Sequence, residues 1–148
     1  MTSIWDASVR SSLVDRVARL KESTTPAWGK MNASGMMAHL NDSYRMALGD
    51  LKVKPKDLPL RYPVIKQLVV YALPWPKGSP TAPELIARCD GAVLSDEQRA
   101  YVELMSRLGA VSAGATLADH PAFGSLTHRA YGVLIARHTE HHLRQFGL

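Results

Sequence analysis

His138 and His142 stand four residues apart in Arg137-His138-Thr139-Glu140-His141-His142, a stretch holding half of the chain's six histidines. On a helix this spacing places two imidazoles one turn apart on the same face. Two neutral imidazoles so arranged make half of a transition-metal site, as in zinc sites built on one helix. A third imidazole would leave coordination positions open for water or substrate, the pattern of catalytic rather than structural centres. Chance also produces such a pair among six histidines, so the elements that carry it must decide.

The C-terminal helix is expected from about His128 to Phe146, capped by Thr127 or Ser125. At about 100° per residue, Tyr131, Leu134, Ile135 and Phe146 share one face with His138, and His142 lies about 40° from it. His141 is also one turn from His138, but it falls on the edge of that face, about 60° the other way. His142 is therefore the preferred partner. His128, at the start of the same helix, is about 15 Å from His138 along the axis, too far for direct ligation.

Upstream, residues 4–22 read as a first helix through Val9, Leu13, Val17 and Leu20, ended by Ser23-Thr24-Thr25-Pro26. A second helix, with Ser34 as N-cap, runs to about Leu48 and closes at Gly49. His39 shares its stripe with Met36, Ser43, Met46 and Ala47, so it faces the interior. A core histidine satisfied by one hydrogen bond is the plain alternative to a ligand. Six of the nine prolines then fall within 55–80. They leave room for a short helix over 63–73 and otherwise demand extended or turning backbone. Thr81-Ala82-Pro83-Glu84 resembles a capping box for a short helix to about Cys89, and Ser95-Asp96-Glu97-Gln98 one for a third long helix.

Topology tests whether the histidines meet. In a simple up-down-up-down bundle, His39 and the C-terminal pair would be offset by about 10 Å. If the second and third long helices run parallel, joined by a long crossover, the start of the second meets the end of the fourth. The proline-rich segment is such a crossover. The expectation is one all-α domain over 1–148, a four-helix bundle in up-down-down-up order, with His39, His138 and His142 converging on a divalent ion. Zn²⁺ suits three imidazoles best, and Ni²⁺ or Fe²⁺ is compatible.

Composition narrows the class. With 46% hydrophobic and 21% charged residues the chain is an ordinary globular one. Its single cysteine, Cys89, excludes an internal disulfide and suits a reducing cytoplasm; among Leu85, Ile86 and Val93 it reads as a buried, inert thiol. The N-terminal Met1-Thr2-Ser3-Ile4-Trp5-Asp6 lacks a secretory signal pattern. The most apolar run, Val64 to Leu73, is short for a membrane span and carries Lys66 and Gln67. A net charge of +5 is scattered, dense only at Lys52-Val53-Lys54-Pro55-Lys56, which reads as a solvated loop rather than a nucleic-acid surface. Phosphate-binding loops, paired-cysteine motifs and nucleophile elbows are absent.

Several strings carry a family resemblance: Trp28-Gly29-Lys30-Met31, Met37-Ala38-His39-Leu40, Pro76-Lys77-Gly78 with Pro80-Thr81-Ala82-Pro83-Glu84, His120-Pro121 with Phe123-Gly124, and His138 through Gly147. Over nearly its whole length the chain resembles the DinB-like (YfiT-like) superfamily of four-helix bundles, in a branch known as a domain of unknown function. The superfamily's metal pattern, one histidine on the second helix and His-x-x-x-His on the fourth, maps onto His39, His138 and His142. The resemblance implies a metal-dependent thiol transferase, isomerase or hydrolase acting on a small molecule, with a low-molecular-weight thiol as cosubstrate, and a homodimer. It implies neither nucleic-acid nor membrane binding. The alternatives are a non-enzymatic small-ligand or stress-response bundle with a catalytically idle metal, and a bundle whose histidines only hydrogen-bond. An acid–base partner is the missing part; Asp42, one turn beyond His39, and His120 and His128 are candidates. Trp28 reads as a packing anchor.

Overall fold

Proline and glycine punctuate the chain into five α-helices: α1 (Ala7–Val17), α2 (Ala33–Leu48), α3 (Pro63–Tyr71), α4 (Leu94–Gly109) and α5 (His128–Gln145). Short 3-10 turns lie at Pro59–Arg61, Pro83–Leu85 and Cys89–Gly91. This is a computed structural model describing residues 1–148. The fold is all-α; a lone bridge between His120 and Gly124 is its only strand-like pairing. None of the helices is long and apolar enough to cross a membrane.

Two helix starts depart from expectation, one through a neighbouring residue and one through a distant partner. Asn32, not Ser34, caps α2: its Oδ1 accepts from Gly35 N at 2.8 Å, and Ser34 Oγ donates to the same oxygen. Gly49 ends α2 with φ 88°, a left-handed conformation favouring glycine. The box at Ser95 is not used; α4 begins at Leu94, whose N–H is taken by Glu22 at 3.1 Å. The Thr81 box opens no α-helix, only two 3-10 turns without side-chain caps. Thr127 caps α5 through Ala130 N at 3.1 Å. The first helix is shorter than the expected 4–22, because Leu20 turns inward on a tight turn rather than extending α1.

Four helices share one core. Leu13 and Val17 of α1, Met37 and Leu40 of α2, Tyr101 and Leu108 of α4, and Tyr131 and Leu143 of α5 belong to a cluster of 19 buried residues. Fully burying each such side chain contributes about 1.5–3 kcal/mol against the entropy of ordering it. α3 stands outside, packing on α5 and placing Val70 beside Phe123, Val133 and Leu134. Contacts between ends fix how the helices lie. Asn41 reaches Glu97 early in α4, and Asp50, just past α2, pairs with Arg107 near the end of α4. His39, near the start of α2, meets the last turns of α5, whereas Ala118, well before α5, donates to Ala47 near the end of α2.

Candidate metal centre

Every apolar neighbour of His39 on its stripe is buried, and His39 itself is 3% exposed. Its Nδ1 lies 3.1 Å from the carbonyl oxygen of Leu85, which only accepts. The proton is therefore on Nδ1, and Nε2 presents a bare lone pair. His142, 7% exposed, is fixed in the same sense. Its Nδ1 lies 2.8 Å from Gln145 Oε1, and the Gln145 amide nitrogen donates to the Trp28 carbonyl at 2.6 Å, which settles the amide's orientation. Both Nε2 atoms face His138 Nε2, at 3.0 Å from His39 and 3.1 Å from His142.

Hydrogen bonding alone does not satisfy this arrangement. A neutral His138 has at most one proton on Nε2, for two lone pairs aimed at it. Adding a proton is opposed by the surroundings. Burial, followed by the His142 and His39 rings, holds His138 well below the ordinary imidazole value. Burial lowers His142 to about 3, and burial lowers His39 despite the Leu85 bond and the charge of Asp42. A cation among the three nitrogens would meet all three lone pairs at once. Zn–N bonds of about 2.0–2.1 Å set ligand nitrogens about 2.8–3.4 Å apart between right-angle and tetrahedral geometry, and the two separations from His138 fall in that range. The donor atoms of His39, His138 and His142 all lie within 4.8 Å of one another, so the three could hold a metal ion.

The proline-rich segment 55–80 supplies one wall. Arg137, next to His138, donates to the carbonyls of Val69, Val70 and Leu73, binding the end of α3 to α5. That anchoring delivers Trp75, whose ring lies 5.4 Å from His138 and 6.2 Å from His141. His141 turns away from the cluster's centre, its ring 5.7 Å from Trp28. Lys77 stands over the Trp28 ring at 4.5 Å. His138 is only half-buried, so its side is the open one.

The remaining candidates make no hydrogen bond to the three imidazoles. Asp42 is buried but pairs with Arg88 and Arg45, both at 2.9 Å, so it is neutralised rather than aimed at the imidazoles. Stacking on Trp5 (4.2 Å between ring centroids, 15° between planes) holds His128 near the N-terminus of the chain. His120 accepts from the N–H groups of Ala122 and Phe123 through Nδ1, and burial lowers it to about 4. It organises the Pro121–Gly124 turn. Cys89 is buried, donates to Gly35 O and is pushed up by burial, an inert thiol. Sequence reasoning missed Leu85, Gln145 and Trp75. Only Gln145 had a signal, its position one helical turn after His142.

Set against known proteins, residues 9–147 match the model of a family described as Protein of unknown function (DUF1569). No curated protein and no solved structure matches the chain.

Proposed function

We propose that this chain, which belongs to the DUF1569 family, is a metal-dependent enzyme of small-molecule chemistry built on a DinB-like four-helix bundle, with His39, His138 and His142 as ligands. The observation that carries it is the pair of lone pairs, on His39 Nε2 and His142 Nε2, directed at the single His138 Nε2. The up-down-down-up order is part of the same proposal. It is supported by two contacts of α2 with α4, the middle of α2 at Asn41 with the first turn and Asp50, just past α2, with the last turn, and by the contact of His39 with the last turns of α5.

Three neutral imidazoles suit Zn²⁺ best and Ni²⁺ or Fe²⁺ as alternatives. When bound, such an ion supplies Lewis acidity and eases deprotonation of a water or thiol. The chain's own residues do the rest. Leu85 and Gln145 hold the rings of His39 and His142 with Nε2 inward. Burial keeps the imidazoles neutral and available, and Trp75 shields His138 on one side. The reaction proposed is thiol transfer, isomerisation or hydrolysis, with a low-molecular-weight thiol as cosubstrate. Its single buried thiol fits a reducing cytoplasm. A homodimer is proposed through the exposed Tyr62, Val64 and Leu68 around α3.

Metal analysis of untagged protein tests this directly. About one equivalent of divalent metal is expected in the wild type and little in His39→Ala or His142→Ala; unchanged metal in the variants rejects the site. One observation favours a second, non-catalytic reading. The three imidazoles make no hydrogen bond to a carboxylate, and Asp42 is tied to arginines, so no carboxylate acid or base is in place. Thiol-conjugation assays across a panel of electrophiles separate the two, since absence of turnover with every thiol favours ligand binding alone.

A further inference from the structure

Charge around the three imidazoles is one-sided. The Nδ1 partners of His39 and His142 are a backbone carbonyl and an amide, Leu85 O and Gln145 Oε1, where many metal-binding histidines lean on a carboxylate. The nearby acids are already neutralised: Asp42 by Arg45 and Arg88, Glu140 by Arg16 and Arg144. The cations at the rim are not. Arg137 binds only carbonyl oxygens, 6.0 Å from the Trp75 ring. Lys77 forms neither an ion pair nor a hydrogen bond, and its ammonium is held over the Trp28 indole. Between the two indoles lies His141, which also touches His142 at 5.2 Å.

We propose that the rim formed by Trp28, Lys77 and Trp75 is a subsite for a small organic anion, its flat or apolar body against the indoles and its carboxylate or similar group on the Lys77 ammonium. The proposal rests on the metal-centre reading above only for what happens at the imidazoles; the subsite stands on its own residues. Its physical basis is threefold. An ammonium over an indole is already partly oriented, by an attraction of about 0.5–1 kcal/mol at exposed sites, and it keeps its hydrogen-bond donors for an acceptor. Indole faces favour flat or apolar partners. Uncompensated charge of one sign raises the local concentration of the opposite sign. Because the imidazoles are neutral, a divalent ion there would leave the site strongly positive, and a substrate that arrives as an anion offsets that charge.

Calorimetric titration of benzoate and of its uncharged isostere benzamide tests this, on zinc-loaded and metal-free protein, with zinc content measured for each variant. Benzoate is expected to bind the wild type more tightly than benzamide. Lys77→Met should weaken benzoate about three- to tenfold, the range for losing one exposed charge-assisted contact, with benzamide affinity and zinc content unchanged; Lys77→Arg should restore the preference. Equal binding of the two probes, or none, overturns the proposal. So does a benzoate preference that Lys77→Met leaves intact, since the carboxylate would then sit on the ion instead. A Lys77-dependent preference in protein that takes up no zinc would uphold the subsite and reject the metal centre.

Discussion

Gln145 Oε1 accepts the Nδ1–H of His142 at 2.8 Å, so the last residue of α5 determines which nitrogen of His142 faces His39 and His138. The same side chain donates to Trp28 O, and its backbone carbonyl accepts from Ala27 N at 2.7 Å. The loop before α2 and the candidate centre are thereby held by one residue.

Gln145→Leu removes the acceptor and frees His142 to take the other tautomer. Metal affinity should fall about 10- to 100-fold, the usual effect of losing an outer-shell partner, as read by competition with a chromophoric chelator. Gln145→Glu, which keeps an acceptor for Nδ1–H, should lose less. Equal losses in both variants would mean that the side chain acts only by packing.

Gly29→Ala should reproduce part of that defect from a distance. Gly29 has φ 83°, and a Cβ there would lie 2.6 Å from Gln145 Nε2. The variant carries backbone strain of about 1 kcal/mol or more and must displace the Gln145 amide. Lower thermal stability together with weaker metal binding is the expected pair; a loss of stability alone would place Gly29 outside the linkage.

The histidines should make the metal-free protein acid-sensitive. Burial lowers His142 to about 3 and His120 to about 4 from 6.5, and lowers His39 and His138 too. Below pH 6.5 the unfolded chain binds protons that the folded chain refuses, so stability falls as pH drops from about 6.5 toward the folded values. Each such group contributes a slope approaching about 1.4 kcal/mol per pH unit in that window. Urea unfolding between pH 7 and pH 5 should show the decline, and His142→Gln should flatten it. Zinc at 100 times its dissociation constant should add about 2.7 kcal/mol at pH 7, an increment absent in His39→Ala.

Asp42 should prove structural. Asp42→Asn is expected to leave metal content unchanged while lowering stability, since Arg88 and Arg45 lose a buried charged partner. Arg88→Met should cost about 2–3 kcal/mol by chemical unfolding. It leaves Asp42 with Arg45 and Glu97 with Asn41 as remaining partners. A fall in metal content with Asp42→Asn would instead put its carboxylate in the metal's shell.

Local rules made much of this protein legible from its residues alone. Periodicity marked the long helices, prolines marked the extended and turning segment between α2 and α4, and Gly49 and Thr127 marked helix ends, because these depend on neighbours within a few positions. The same periodicity turned His39, His138 and His142 toward the interior and set His141 aside. Where a partner comes from far along the chain, local rules fail. Glu22 supplies the cap of α4 that the Ser95 box was expected to provide, and Asp42 faces Arg88 rather than the imidazoles. Leu85 reaches His39 because its turn packs on α2 beside Met46, and Trp75 reaches His138 because α3 is fastened to α5 by Arg137. The sequence by itself determined which histidines face inward. The tertiary structure alone decided which nitrogen His39 presents, because its acceptor, Leu85 O, is brought to the ring by packing, whereas the acceptor of His142 lies one turn on along its own helix.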